Sequence, residues 1–114
     1  MRSDLIPRSM LPQLLAVSER TLARLPLPSG TSDGLYSWPL VCQALSLPTL
    51  RIVSGRALMR PTEAAWALSC STRSIRTYST SGLLKRLHIA QHPRLARVTA
   101  ETVRTLWKDR HAAH

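Results

Sequence analysis

Apolar residues recur along this chain at spacings of three and four, in short runs closed off by proline, glycine or a capping hydroxyl. Met10, Leu11, Leu14 and Leu15 form the first such stripe, the pattern of a helix with one buried face. Ser9 stands where a cap would, and Ser18 stands ahead of a second run, Glu19-Arg20-Thr21-Leu22-Ala23-Arg24-Leu25, in which Leu22 and Leu25 share a face. Pro26 and Pro28 stop that run. Ser29-Gly30-Thr31-Ser32-Asp33-Gly34 is a dense turn signal before Leu35-Tyr36 and predicts a small hairpin. Ser37 then caps a third helix, with Pro39 in its first turn and Leu40, Val41, Ala44 and Leu45 on its apolar side. Residues 1 to 8 read as an irregular lead-in.

The second half follows the same pattern. Thr62 is positioned to cap a helix whose inward residues are Ala64, Ala65 and Leu68, and Ser71 to cap the next, with Ile75 and Tyr78 inward and Gly82 ending it. Leu84 to Val98 reads as a longer hairpin, and Thr99 caps a last helix with Val103, Leu106 and Trp107 inward. Glu101 in its first turn and Lys108 and Arg110 in its last suit the helix dipole. Leu15 to Leu22 align with Leu68 to Ile75 at an offset of 53, and Tyr36-Ser37 with Val41 align with Val98-Thr99 and Val103 at an offset of 62. Two diverged copies of one unit, differing in hairpin length, account for both offsets.

Between the copies, residues 46 to 59 hold Pro48, Gly55 and the β-favouring run Leu50-Arg51-Ile52-Val53. The chain thus divides into an N-terminal unit at 1–48, a linker at 49–59 and a C-terminal unit at 60–114. Fully extended, residues 46 to 59 reach on the order of 45 Å. That exceeds the roughly 34 to 36 Å between major-groove faces one helical turn apart.

Charge narrows the choice of partner. Lys and Arg outnumber Asp and Glu by 16 to 6, a net of +10, which favours a polyanion. Up to Pro48, four basic residues meet three acidic ones for a net of +1, whereas from Thr49 twelve meet three for +9. Any electrostatic footprint therefore belongs mainly to the second half. Asp4, Pro7 and Pro12 make the N-terminus a poor signal peptide, and no apolar stretch approaches the roughly 20 residues that span a bilayer. Cys42 and Cys70 have no metal-ligand spacing, so a reduced, soluble, cytoplasmic protein without membrane contact or cofactor is expected.

The chemistry concentrates on the second helix of the C-terminal unit. Arg73 and Arg76 are three apart, with Thr72 and Thr77 beside them, so one face offers two guanidinium forks and two hydroxyls. Such forks bond guanine bidentately, and threonine suits a phosphate, a base edge or a thymine methyl. Lys85, Arg86, Arg94 and Arg97 mark the hairpin as basic, and Arg20 and Arg24 are the corresponding cations of the first unit.

Thr62-Glu63-Ala64-Ala65, Cys70-Ser71, Ser74-Ile75-Arg76, Tyr78, Gly82-x-Leu84, the basic hairpin and Thr99 with Val103 together resemble the winged helix-turn-helix of the excisionase and MerR-like superfamily. The resemblance covers about residues 60 to 107. Val17-Ser18, Thr21-Leu22, Trp38 and Val41 resemble the phage AlpA-type branch over about residues 9 to 45. A mainly α fold with small β-hairpin wings, built as two tandem winged helix-turn-helix units, is therefore expected. The resemblance implies a recognition helix carrying Thr72, Arg73, Arg76 and Thr77 and a wing carrying Lys85, Arg86 and Arg94. It also implies double-stranded DNA as partner, with an integrase or another regulatory protein as a further partner and oligomers forming on DNA. The chain departs from the family at the inter-helix turn, where Ser69 and Ala16 replace a frequent glycine, and at Leu11-Pro12, which stands where Ala64-Ala65 would.

Trp38, Trp66 and Trp107 are expected in the core, Cys70 as a small buried hydrophobe, and His111 and His114 in a terminal tail. His88 and His92 lie in a hairpin, where a spacing of four does not converge two metal ligands. No catalytic set stands out among six acidic residues, so an enzyme is not expected. The expected function is sequence-specific DNA binding, as a recombination directionality factor or transcriptional regulator. The competing readings are a protein-interaction module of antiactivator type and a DNA-packaging adaptor.

Overall fold

The computed structural model describes residues 5 to 112. Strand β1 (Leu5–Pro7) pairs antiparallel with β2 (Leu35–Ser37), so the expected lead-in is a strand from residue 5 onward. Proline is tolerated there because the sheet has only two strands and both are edges. A 3₁₀ turn at Arg8–Met10 leads into helix α1 (Leu11–Leu15), whose N-cap position is Met10 and not the expected Ser9. Helix α2 (Glu19–Ala23) is capped as expected, the Ser18 hydroxyl accepting from the Thr21 amide at 3.1 Å. Helix α3 (Trp38–Ala44) has Pro39 in its first turn, but the Ser37 hydroxyl makes no capping bond. The glycine-rich stretch closes a turn, the Gly34 amide donating to the Thr31 carbonyl at 2.9 Å. No local hairpin results, because the partner of β2 is the distant β1.

The second half holds β3 (Leu58–Met59), α4 (Pro61–Ala67), α5 (Thr72–Ser81), β4 (Arg86–His88), β5 (Ala96–Thr99) and α6 (Ala100–Ala112), with an antiparallel sheet ordered β3-β5-β4. Pro61 occupies the first position of α4, where its missing N–H costs nothing. The N-cap is thereby Arg60, in place of the expected Thr62, and its amide donates to the Glu63 carboxylate at 2.9 Å. The Ser71 hydroxyl caps α5 through the Ser74 amide at 3.1 Å, and Gly82 ends the helix at φ 88°. Thr99 caps α6, its hydroxyl accepting from the Thr102 amide at 3.4 Å. The run Leu50 to Val53 forms no strand; Val53 makes only a bridge to Arg56, and the strand comes later, at β3.

Backbone hydrogen bonding repeats at the two sequence offsets. Leu5 pairs with Ser37 and Ile6 with Tyr36; 53 and 62 residues on, Leu58 pairs with Thr99 and Met59 with Val98. Between α1 and α2 the Val17 amide closes onto the Pro12 carbonyl at 3.0 Å, and between α4 and α5 the Cys70 amide closes onto the Ala65 carbonyl at 2.9 Å. Ala16 and Ser69, which stand in those turns where the resembled family often has glycine, are both left-handed, with φ of 56° and 52°. The turn thus keeps the conformation that glycine adopts most cheaply, without the glycine.

Two apolar clusters lie on either side of the second sheet. One gathers Leu11, Leu14, Leu15, Leu22, Val41 and Leu45 of the first half with Leu50, Leu58 and Ile89; the other gathers Ala64, Ala65, Leu68, Ile75, Leu84, Val98, Val103 and Leu106. Side chains alternate along β5. Val98 accordingly joins the second cluster, while Leu87, opposite Arg97, packs against the first. The hairpin tip is docked on the N-terminal half, with Ile89 fully buried there and the Ala90 amide donating to the Leu45 carbonyl at 2.8 Å. Residues 49–59, expected as a tether, are packed: Leu50, Ala57 and Leu58 are buried, and the Trp38 indole donates to the Leu50 carbonyl at 2.7 Å. No helix among the described residues is long and apolar enough to cross a membrane.

Candidate nucleic-acid interface

Helix α5 has one buried anchor, Ile75, with Tyr78 partly buried beside it, and leaves Thr72, Arg73, Arg76 and Thr77 exposed. That division follows from the 3.6-residue period. Neither Arg73 nor Arg76 has a carboxylate partner among the described residues. The Thr77 hydroxyl donates to the Arg73 carbonyl at 3.2 Å and the Thr80 hydroxyl to the Arg76 carbonyl at 3.0 Å. With its proton turned back onto the helix, Thr77 offers a lone pair and a methyl outward.

The hairpin places a further cation beside this helix. Arg86 pairs across the sheet with Val98, whose side of the sheet faces α5. A narrow groove of about 100 Å³ results, lined by Thr72, Ile75, Arg76 and Ser79 of α5, by Arg86 and Val98 of the hairpin, and by Pro61. Its floor is apolar and its rim carries two guanidinium groups. Lys85 and Arg94 are also exposed, Lys85 just before β4 and Arg94 in the loop between β4 and β5.

Arg97 does not belong with them. It lies on the opposite side of β5 from Val98, is only 7% exposed, and donates from Nε to the Ala16 carbonyl at 2.9 Å and from Nη1 to its neighbour Ala96 at 2.8 Å. Arg60 donates to the same Ala16 oxygen at 3.2 Å, so two cations meet the carbonyl end of α1. Burial lowers the Arg97 pKa, repulsion from Arg60 lowers it further, and Glu63 opposes both. In the second half Arg110 donates to the Leu68 carbonyl at the end of α4 at 3.0 Å. Part of the basic excess therefore holds the fold: Arg60, Arg97 and Arg110 on carbonyls, and Arg8, Arg51 and Arg56 on Glu19, Glu101 and Glu63.

The corresponding face of the first half is smaller. Helix α2 has five residues where α5 has ten, as Pro26 and Pro28 require. Arg20 and Arg24 are exposed, four apart, and the adjacent Glu19 carboxylate is bound by Arg8 at 3.0 Å.

Other expectations divide. Trp38 is buried, whereas Trp107 is 44% exposed and Trp66 is 87% exposed. Ala64, Ala65 and Leu68 face inward, and a residue two positions after Ala64 falls on the opposite side of a helix. His111 belongs to the last turn of α6, stacked on Trp107 at 3.9 Å, and His114 lies outside the described residues. Cys42 is buried, and burial raises its thiol pKa against hydrogen bonding that lowers it; Cys70 is partly buried. Among the described residues no three His, Cys, Asp or Glu side chains are gathered as metal ligands.

No protein-family profile, curated protein or solved structure matches this chain.

Proposed function

We propose that the protein binds double-stranded DNA sequence-specifically, as two fused winged helix-turn-helix units, and acts as an excisionase-like recombination directionality factor or transcriptional regulator. One observation carries the reading. Arg73 and Arg76 stand exposed on α5 with no carboxylate partner among the described residues, and Arg86 lies across a narrow groove from Arg76. Helix α5 enters the major groove, Arg73 and Arg76 reading base edges and Thr72 and Thr77 seating the helix. Lys85, Arg86 and Arg94 meet the backbone or minor groove, and Arg97 is withdrawn from the interface.

The packed connection changes how two units address DNA. Burial of Leu50, Ala57 and Ile89 packs the connection and the hairpin tip into the same cluster as Leu22 of α2, so the two units do not address DNA as freely tethered heads. Bending lets one duplex meet both, which suits an architectural role beside an integrase. With its short α2, the first unit contributes through Arg20 and Arg24 as a secondary contact.

Binding of the full chain to a random-sequence duplex across a range of salt concentrations tests the electrostatic part. The double variant Lys85→Ala, Arg86→Ala lowers affinity for every sequence and flattens the log K against log salt slope by about 0.9 per lost phosphate contact. A slope that does not move removes both side chains from the interface.

A further inference from the structure

Trp66 is the most exposed large hydrophobic side chain among the described residues, at 87% on α4, and an indole is among the largest apolar groups a side chain can offer. Its surroundings continue the apolar character. One groove of about 440 Å³ runs beside Trp66, Met59 and Ala67, and a second of about 420 Å³ runs from Met59 and Ala67 to Val103 and Trp107. The two share Met59, Ala67 and Arg56, and neither shares a residue with the groove beside α5. Arg104 lines the second groove and also an adjoining depression that holds Lys108. Glu63 and Glu101 are already paired with Arg56 and Arg51, while Arg104 and Lys108 are exposed with no carboxylate partner among the described residues.

We propose that this face docks an acidic peptide segment of a partner protein. Bulky apolar side chains of the segment enter the two grooves on either side of Met59, and its carboxylates meet Arg104 and Lys108. Tryptophan and arginine are the residues that most often carry binding energy at such centres. A second copy of the chain is a poor occupant, because each carries a net charge of +10. Duplex DNA matches the charge but offers nothing for the apolar grooves. The inference rests on this surface alone and stands whether or not α5 reads DNA.

The test is a titration of ¹⁵N-labelled full-length protein with two synthetic peptides, each with two leucines four apart, one in an Asp/Glu background and one in a Lys/Arg background. The three indole N–H signals report position. The acidic peptide shifts those of Trp66 and Trp107 in a saturable way and leaves Trp38, buried and bonded to Leu50, unmoved; the basic peptide shifts none. Trp66→Ala weakens acidic-peptide binding about tenfold or more, without change in duplex affinity, since so exposed a side chain supports no packing. The proposal is overturned if millimolar acidic peptide moves neither indole, if the basic peptide binds equally, or if Trp66→Ala leaves binding intact. It is also overturned if the Trp66 signal instead follows added duplex, which gives the face to DNA, or protein concentration alone, which gives it to a second copy.

Discussion

Arg97 donates from its guanidinium to the carbonyl oxygen of Ala16 at 2.9 Å, joining residues 81 positions apart. The bond ties the base of the hairpin to the helix-helix turn of the other half. A hydrogen bond from a charged donor contributes about 1.5 to 3 kcal/mol, and the buried stem adds packing. Arg97→Ala is therefore expected to lower unfolding free energy by about 2 to 4 kcal/mol in urea titration. Arg97→Met, which keeps the stem's bulk while Arg60 still serves the carbonyl, loses about half as much. Neither variant alters the salt dependence of DNA binding. A flattened slope with unchanged stability would return Arg97 to the DNA face.

Two left-handed positions, one on each side of α5, lead to opposite predictions. Ser69 is exposed at φ 52° and Gly82 closes α5 at φ 88°. Ser69→Gly relieves left-handed strain and loses no packing, for a gain of about 0.5 to 1 kcal/mol, roughly 2 to 6 °C in Tm. A Cβ at Gly82 meets nothing within 4 Å, so Gly82→Ala costs only backbone strain, about 1 kcal/mol. Thermal melts of both variants check the pair. A Ser69→Gly protein that melts below wild type would show the turn to be held by the serine side chain.

Acid stability should depend on Glu63. Burial raises its pKa, but the Arg60 amide, the Arg56 hydrogen bond and the charges of Arg56 and Arg60 outweigh that and hold it below its ordinary value. A carboxyl whose folded pKa is depressed contributes stability above its unfolded pKa and loses it as pH falls through the folded one. With the Arg56 and Glu63 side chains 38% and 34% exposed, solvent screening keeps the contribution on the order of half a kcal/mol. Wild type should lose that increment as pH drops below about 4.3, and Glu63→Gln should show a correspondingly flatter acid limb. Parallel acid limbs in the two proteins would contradict the assignment.

Much of this was legible where short-range chemistry decides. Ser18, Ser71 and Thr99 cap as their sequence positions indicate, because a cap is settled within three residues. The offsets of 53 and 62 recur in the strand registers, because both halves carry the same order of elements. Other features depend on distant partners. The strand Leu5–Pro7 is too short for an alternating pattern and is defined by residues 30 positions on. Charge alone groups Arg97 with the wing cations, whereas alternation about Val98 puts it on the other side of the strand. Pro61 signalled a helix start one residue before Thr62. Hydrophobicity alone places Trp66 in the core, whereas the inward set Ala64, Ala65 and Leu68 turns it to solvent.

Selection of bound duplexes from a random pool, with wild type and Arg76→Ala in parallel at one salt concentration, tests the central claim most directly. The account predicts that wild type enriches a defined motif. Arg76→Ala should enrich the same motif with preference relaxed at one base and affinity lower by about 1 to 3 kcal/mol. Absence of any enriched motif, or an identical motif and affinity from the variant, would contradict α5 as the reader of sequence.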